Sequence, residues 1–300
     1  MIKQTIYIVV TLLILSCVFL FVSCKNDSGS LNNDTIEFEK NKSFEVDQND
    51  SYYVVYTEWM TFYFSKKDYQ KETIVEIVEE AVEVMRDVRS YLDLNYSLDS
   101  AKETECFFDS NYNNNGQNRS FCYIYEKKMY CISLEDFVHE YVHMISGNSE
   151  DIIYQPDEIF IEGLAQYVSF NFCDVVASMD YECFRELDVV EISDPSEHGA
   201  ICELIYNNKL EYNIKNYNKA LVAYFDNKYS VSEVNKKSDF YKYQIGYVFV
   251  DYCINRLGGL EKFMSVYCDS ITVTSVYGNT TEILIVDACE YNTLLFYENK

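Results

Sequence analysis

The stretch His139-Glu140-Tyr141-Val142-His143 concentrates more reactive chemistry than any other part of the chain. On an α-helix, positions i and i+4 lie about 40° apart around the axis, so the two imidazoles share a face one turn apart. Ring nitrogens presented this way can bind one zinc ion, and Glu140, next round the helix, can address a water on that ion. The chain has only 3 histidines, and two of them stand here. The alternative is an amphipathic helix whose histidines merely fall at core spacing. A buried helix cannot leave two imidazoles unpaired without a penalty, however, and a metal satisfies both.

The surrounding residues predict the helix that must present this pair. Ser133 can cap it, with Asp136 at the third helical position in a near-match to a capping box. Leu134, Phe137, Val138, Tyr141, Val142 and Ile145 bury most of it, and Gly147 gives a natural stop. A catalytic zinc site needs a third protein ligand and an open fourth position. A second helix is predicted from Pro156-Asp157-Glu158, with Pro in its first turn and acids favoured by the dipole. It runs from Ile159 to Phe170 and contains Glu162, with 18 residues between His143 and that carboxylate.

In these features the chain resembles the gluzincins, the thermolysin-like zinc peptidases with HExxH, about 18 residues and then Glu on the next helix. The words Glu162-Gly163-Leu164-Ala165-Gln166-Tyr167 are similar to the aminopeptidase-type branch of that family. The resemblance implies an α+β fold: a thermolysin-like zincin domain with a small mixed-sheet lobe followed by a mainly helical lobe. It implies one Zn2+ held by His139, His143 and Glu162, and a Glu140 that takes a proton from water and returns it to the leaving amine. Small Gly163 and Ala165 would let the two ligand helices approach closely. Gln166 shares a face with Glu162 and could orient a ligand histidine, although thermolysin-like enzymes often have Asp there.

Tyr243-Gln244-Ile245-Gly246 is similar to the YxxG stretch whose tyrosine steadies the oxyanion in gluzincin aminopeptidases. Tyr243 is the matching position, a packing tyrosine is the competing reading, and Tyr241 and Tyr247 are alternatives. His198, in Ser196-Glu197-His198-Gly199, is read as an exposed loop histidine, with an oxyanion donor as the other possibility. No GxMEN-like strand, which reads a free amino terminus in the aminopeptidases, occurs between Cys106 and Ser133. The implied activity is therefore hydrolysis of peptide or protein substrates without an aminopeptidase assignment. A non-catalytic zincin-like surface lipoprotein, acting as a binding or adhesion module, is the alternative. It would have no need of Glu140. A helical HExxH protein without metal is a third.

Residues 52–133 read as a β-rich lobe with one long helix, and residues 134–300 as the helical lobe that carries the site. Tyr52 to Ser65 should hold one or two strands, and Lys67 to Leu94 has apolar residues at helical spacing. Glu105 to Phe108 is a further strand, Asn111 to Arg119 a loop, and Ser120 to Ser133 a hairpin around Glu126-Lys127. In zinc peptidases the strand before the HExxH helix commonly pairs with substrate, which makes Lys128 to Ile132 the candidate for that role. Helices are expected at 197–207, 217–224, 240–256, 260–268 and 280–296, with Gly258-Gly259 separating two of them.

The start of the chain concerns address. Lys3 precedes an apolar run from Ile6 to Val22, which ends at Ser23-Cys24 and turns polar at Lys25. Residues 1–23 thus resemble a bacterial lipoprotein signal, with Cys24 the lipid-anchored residue. Phe21 departs from the usual Leu, Cys17 is a second acceptor, and an uncleaved anchor is the alternative. Residues 24–51 are rich in Asn, Asp and Ser and read as a polar tether. The implied location is the cell envelope, held at a membrane outside the cytoplasm. A formal charge of −25 would repel phosphate backbones and argues against nucleic acid. Beyond Cys24 stand nine cysteines with no CxxC pair, so no cysteine zinc site is indicated and the residues either pair or fill core.

Overall fold

The computed structural model describes residues 44–57, 59–92, 104–110, 120–147, 157–172, 195–228, 241–267, 274 and 276–298. The leader with Cys17 and Cys24, the loop at 111–119 and Pro156 lie outside the described residues. The aromatic run after Ser51 divides into two strands because Thr57 closes a turn between them. Its hydroxyl donates to the Met60 carbonyl and accepts from the Trp59 and Met60 amides. β2 (Tyr52–Tyr56) and β3 (Thr61–Ser65) pair antiparallel across it. β1 (Val46–Gln48) pairs antiparallel with β2, so part of the stretch read as tether is strand. Backbone pairing at an edge needs few apolar side chains, and composition therefore misses it.

α1 (Lys71–Leu92) is the long helix expected from the spacing, and it buries Ile74, Val78, Ala81, Val82, Met85, Val88 and Leu92. It carries the chain over to β4 (Glu105–Phe108), which runs parallel to β3. β5 (Phe121–Tyr123) and β6 (Lys128–Cys131) form the expected hairpin, turned by a short 3-10 segment and by Lys127 at φ 52°. The six strands stand in the order β1-β2-β3-β4-β6-β5. β6 is thus paired on both sides, parallel to β4 and antiparallel to β5. Lys128 to Ile132 therefore cannot be the strand that receives substrate, because its backbone groups are already taken. The edge position belongs to β5.

Alternation sorts the two sheet faces. Phe62, Phe64, Cys106, Phe108, Met129 and Cys131 are buried, and Phe137 of the next helix packs on Phe62 and Phe108 at ring distances of 6.0 and 6.1 Å. On the other face Tyr63, Phe107, Tyr130 and Phe121 stack across the strands at 4.5, 5.0 and 4.8 Å while remaining half-buried.

From residue 134 the described elements are helical: α2 (Leu134–Gly147), α3 (Glu158–Phe172), α4 (Pro195–Asn207), α5 (Ile214–Lys228), α6 (Gly246–Leu257), α7 (Leu260–Tyr267) and α8 (Thr281–Tyr297). A π-turn, Tyr241–Ile245, leads directly into α6. Gly258, left-handed at φ 84°, ends α6 as its sequence position suggests. The mixed α+β class holds, and the described residues belong to one compact unit that begins at Phe44. None of the described helices is long and apolar enough to cross a membrane. The six described cysteines are free thiols, and Cys106, Cys131, Cys253 and Cys289 are core residues.

Candidate metal centre

Two residues separate β6 from α2, so the sheet aims the helix. Ser133 Oγ accepts the Asp136 amide at 3.4 Å, as the capping pattern predicts. The Asp136 carboxylate also accepts from Ser120 Oγ at 2.7 Å, and that oxygen accepts the Ile132 amide at 3.0 Å. Ser120 thereby pins the start of β5 to the start of α2. On the opposite side of α2, Tyr141 is buried and its hydroxyl accepts from Arg89 Nε of α1. The Arg89 guanidinium lies 4.8 Å from the Trp59 ring. These contacts fix the roll of α2, and His139 and His143 face away from them.

The third member arrives from α3. His139 Nε2 and His143 Nε2 lie 2.9 Å apart, and Glu162 Oε2 lies 3.1 Å from the first and 3.2 Å from the second. Donors bound tetrahedrally at about 2.05 Å stand about 3.3 Å from one another, close to this triangle. A shared proton can satisfy only one pair of these atoms at a time, whereas a divalent cation satisfies all three. Two imidazoles and a carboxylate form a donor set suited to zinc. Among the described residues this is the one group of three or more candidate ligands whose atoms converge. The three side chains are 11–17% exposed. His143 Nδ1 is buried and has no hydrogen-bond partner among the described residues.

The electrostatics follow from this packing. Burial acts to raise the Glu162 pKa, but hydrogen bonds from His139 and His143 outweigh it and hold the carboxylate well below its usual range. Burial acts to lower His139, and the bond and charge of Glu162 raise it overall. Glu140 is 7% exposed, and no hydrogen bond from a described residue ties its carboxylate down. Burial raises its pKa, the two imidazoles pull it back, and Glu162 and Asp136 add to the rise. The net effect is a carboxylate that holds a proton more readily than an exposed glutamate.

Tyr243 completes the group. It lies in the π-turn, half-buried, with its ring centroid 5.8 Å from that of His139. Tyr247, an alternative by sequence, is core: it is fully buried and packs on Tyr167 and Phe170. Three residues beyond Tyr243, Gly246 takes part in a close helix crossing. A methyl carbon placed on Gly163 would lie 2.4 Å from the carbonyl oxygen of Gly246. Gly163 therefore serves the approach of α3 to α6, not the approach of the two ligand helices to each other. The matching signal was the glycine that ends the YxxG stretch.

No protein-family model matches the chain, and no curated protein or solved structure does so either.

Two further expectations need correction. Gln166 is buried, but among the described residues it hydrogen-bonds neither imidazole. His198 is not an exposed loop residue: it sits in the first turn of α4, partly buried, with Nδ1 3.0 Å from the Tyr217 hydroxyl and Cys202 Sγ 3.5 Å from Nε2. Cys202 lies on α4 and Tyr217 on α5, and His198 is not part of the triad. Short-range composition around Gly199 suggests a turn, but helix α5 packs over this segment and keeps it helical.

Proposed function

We propose that this chain is a zinc-dependent peptidase of gluzincin type, built as a thermolysin-like zincin and held by a lipid at Cys24 on the outer side of a cell membrane. The observation that carries the proposal is the convergence of His139 Nε2, His143 Nε2 and Glu162 Oε2 to within 3.2 Å of one another, with Glu140 buried beside them. When bound there, zinc would polarise a carbonyl and acidify water. Glu140 accepts the proton of the attacking water and passes it to the leaving amine. Tyr243 donates its phenol hydrogen to the oxygen that gains negative charge on the substrate carbonyl, a contribution of about 3 kcal/mol to the barrier in a water-poor site. The edge of β5, pinned to α2 through Ser120, offers backbone groups to an extended peptide, which joins the sheet as a further strand.

The test is a peptide-library digest with the full chain, with and without chelator, alongside metal analysis of Glu140→Gln. That variant should keep one zinc per chain and lose hydrolysis. Unchanged cleavage would remove Glu140 from the mechanism, and a metal-free wild type would end the proposal. Zinc binding without any hydrolysis by the wild type would instead favour the surface-binding module.

A further inference from the structure

Asn218 of α5 is completely buried, and its amide is only half used. Nδ2 donates to the Gln244 carbonyl at 3.2 Å, whereas Oδ1 has no hydrogen-bond partner among the described residues. A buried acceptor left in this state opposes folding, and an apolar side chain of the same size would be easier to bury. What the residue supplies in return is the hydrogen bond to the buried Gln244 carbonyl. The carbonyl it serves belongs to the single π-turn among the described elements, immediately after Tyr243 in the chain. Single π-turns of this kind are rare and recur at functional sites.

The same turn is held at two other points. Lys242 pairs with Glu158 in the first turn of α3, and Gly246 sits against Gly163 of the same helix. Anchors at 242, 244 and 246 bracket Tyr243, whose ring lies beside His139. Lys242 and Gly246 tie the turn to the helix that carries Glu162. Asn218 adds a hold from α5, outside the metal-bearing pair of helices. The geometry points to Asn218 as a positioning residue that fixes the π-turn and so sets where the Tyr243 phenol stands relative to the metal triad.

This inference rests on the peptidase reading, and it is tested so that the two can fail separately. In the full chain loaded with zinc, Asn218→Leu should lower kcat by about 10- to 100-fold with KM within about twofold. Combined with Tyr243→Phe it should lower kcat no further, because the group it positions is gone. Equal losses in both backgrounds would overturn the assignment. The second readout needs no hydrolysis: 3-fluorotyrosine incorporated at position 243 and observed by 19F NMR. Its resonance should shift on zinc addition in the otherwise unaltered chain and lose that response in Asn218→Leu and in Asn218→Ala. A zinc response identical to the parent's in both, or failure of both variants to fold, would make Asn218 structural only. Absence of turnover in the wild type would count against the peptidase reading while leaving the fluorine result to decide this one.

Discussion

Gly163→Ala asks whether the crossing of α3 and α6 is what locates Tyr243. The new methyl carbon would meet the Gly246 carbonyl oxygen at 2.4 Å, its carbon at 2.7 Å and Val250 Cγ2 at 2.8 Å. Two of the three atoms are backbone, so a rotamer change cannot relieve the clash. Moving the oxygen out to about 3.3 Å requires the helices to part by about 0.9 Å. Overpacking of this kind costs about 1–3 kcal/mol, against which alanine gains about 1 kcal/mol of helix propensity over glycine. The net loss is up to about 2 kcal/mol, or a fall of about 4–8 °C in Tm. Tyr243 lies three residues before Gly246, so the same parting carries its phenol away from the triad. A misplacement of about 1 Å lowers turnover by about 100-fold. Zinc content should not change, because all three ligands are on α2 and α3. Gly199→Ala is the control: nothing lies within 4 Å of its added carbon in α4, and it should stabilise by about 0.4–1 kcal/mol without altering turnover. Thermal unfolding, metal analysis and peptide turnover on the two variants decide the matter. A Gly163→Ala protein as stable and as active as the parent would refute the crossing as the positioning device.

Other outcomes follow from the same geometry. Tyr141→Phe removes the acceptor of the Arg89 bond behind α2 and should destabilise by about 1.5–3 kcal/mol while zinc stays bound; a stability change near zero in denaturant titrations counts against the clamp. In chelator-treated protein the Glu162 pKa is lowered, so its contribution is present above the unfolded value of 4.5 and is lost as pH falls through the folded value. The His139 pKa is raised, so its contribution is complete below 6.5 and is lost as pH rises through the folded value. The pair therefore stabilises the metal-free protein most between pH 4.5 and 6.5, and Tm should decline above that window. Glu162→Gln should flatten this decline, and an equal decline in that variant would show that other groups cause it.

How much of this was open to reading from the chain differs by element. The strands around Tyr52–Ser65, the hairpin at 120–133, α1 and the C-terminal helices follow local patterning, and their bounds lie within a few residues of those expected. β1 escaped because an edge strand can be recruited through backbone hydrogen bonds with little apolar content. His198 was misread as exposed because its burial depends on α5, a packing partner that local composition does not reveal. The YxxG match favoured Tyr243 over Tyr247, but local patterning could not separate a site tyrosine from a packing one. Their difference is which way the π-turn rotates them: one towards His139, the other into the core against Tyr167 and Phe170.

The sequence by itself determined that His139 and His143 share one helix face, because i and i+4 on one helix is a local relation. It also nominated Glu162 through spacing and resemblance. Only the tertiary structure decided that Glu162 closes a triangle with those imidazoles, that β5 and not β6 forms the sheet edge, and that Gly163 meets Gly246. Strand order and helix crossings depend on which surfaces pack together across long separations in the chain, and one-dimensional periodicity carries no record of that choice.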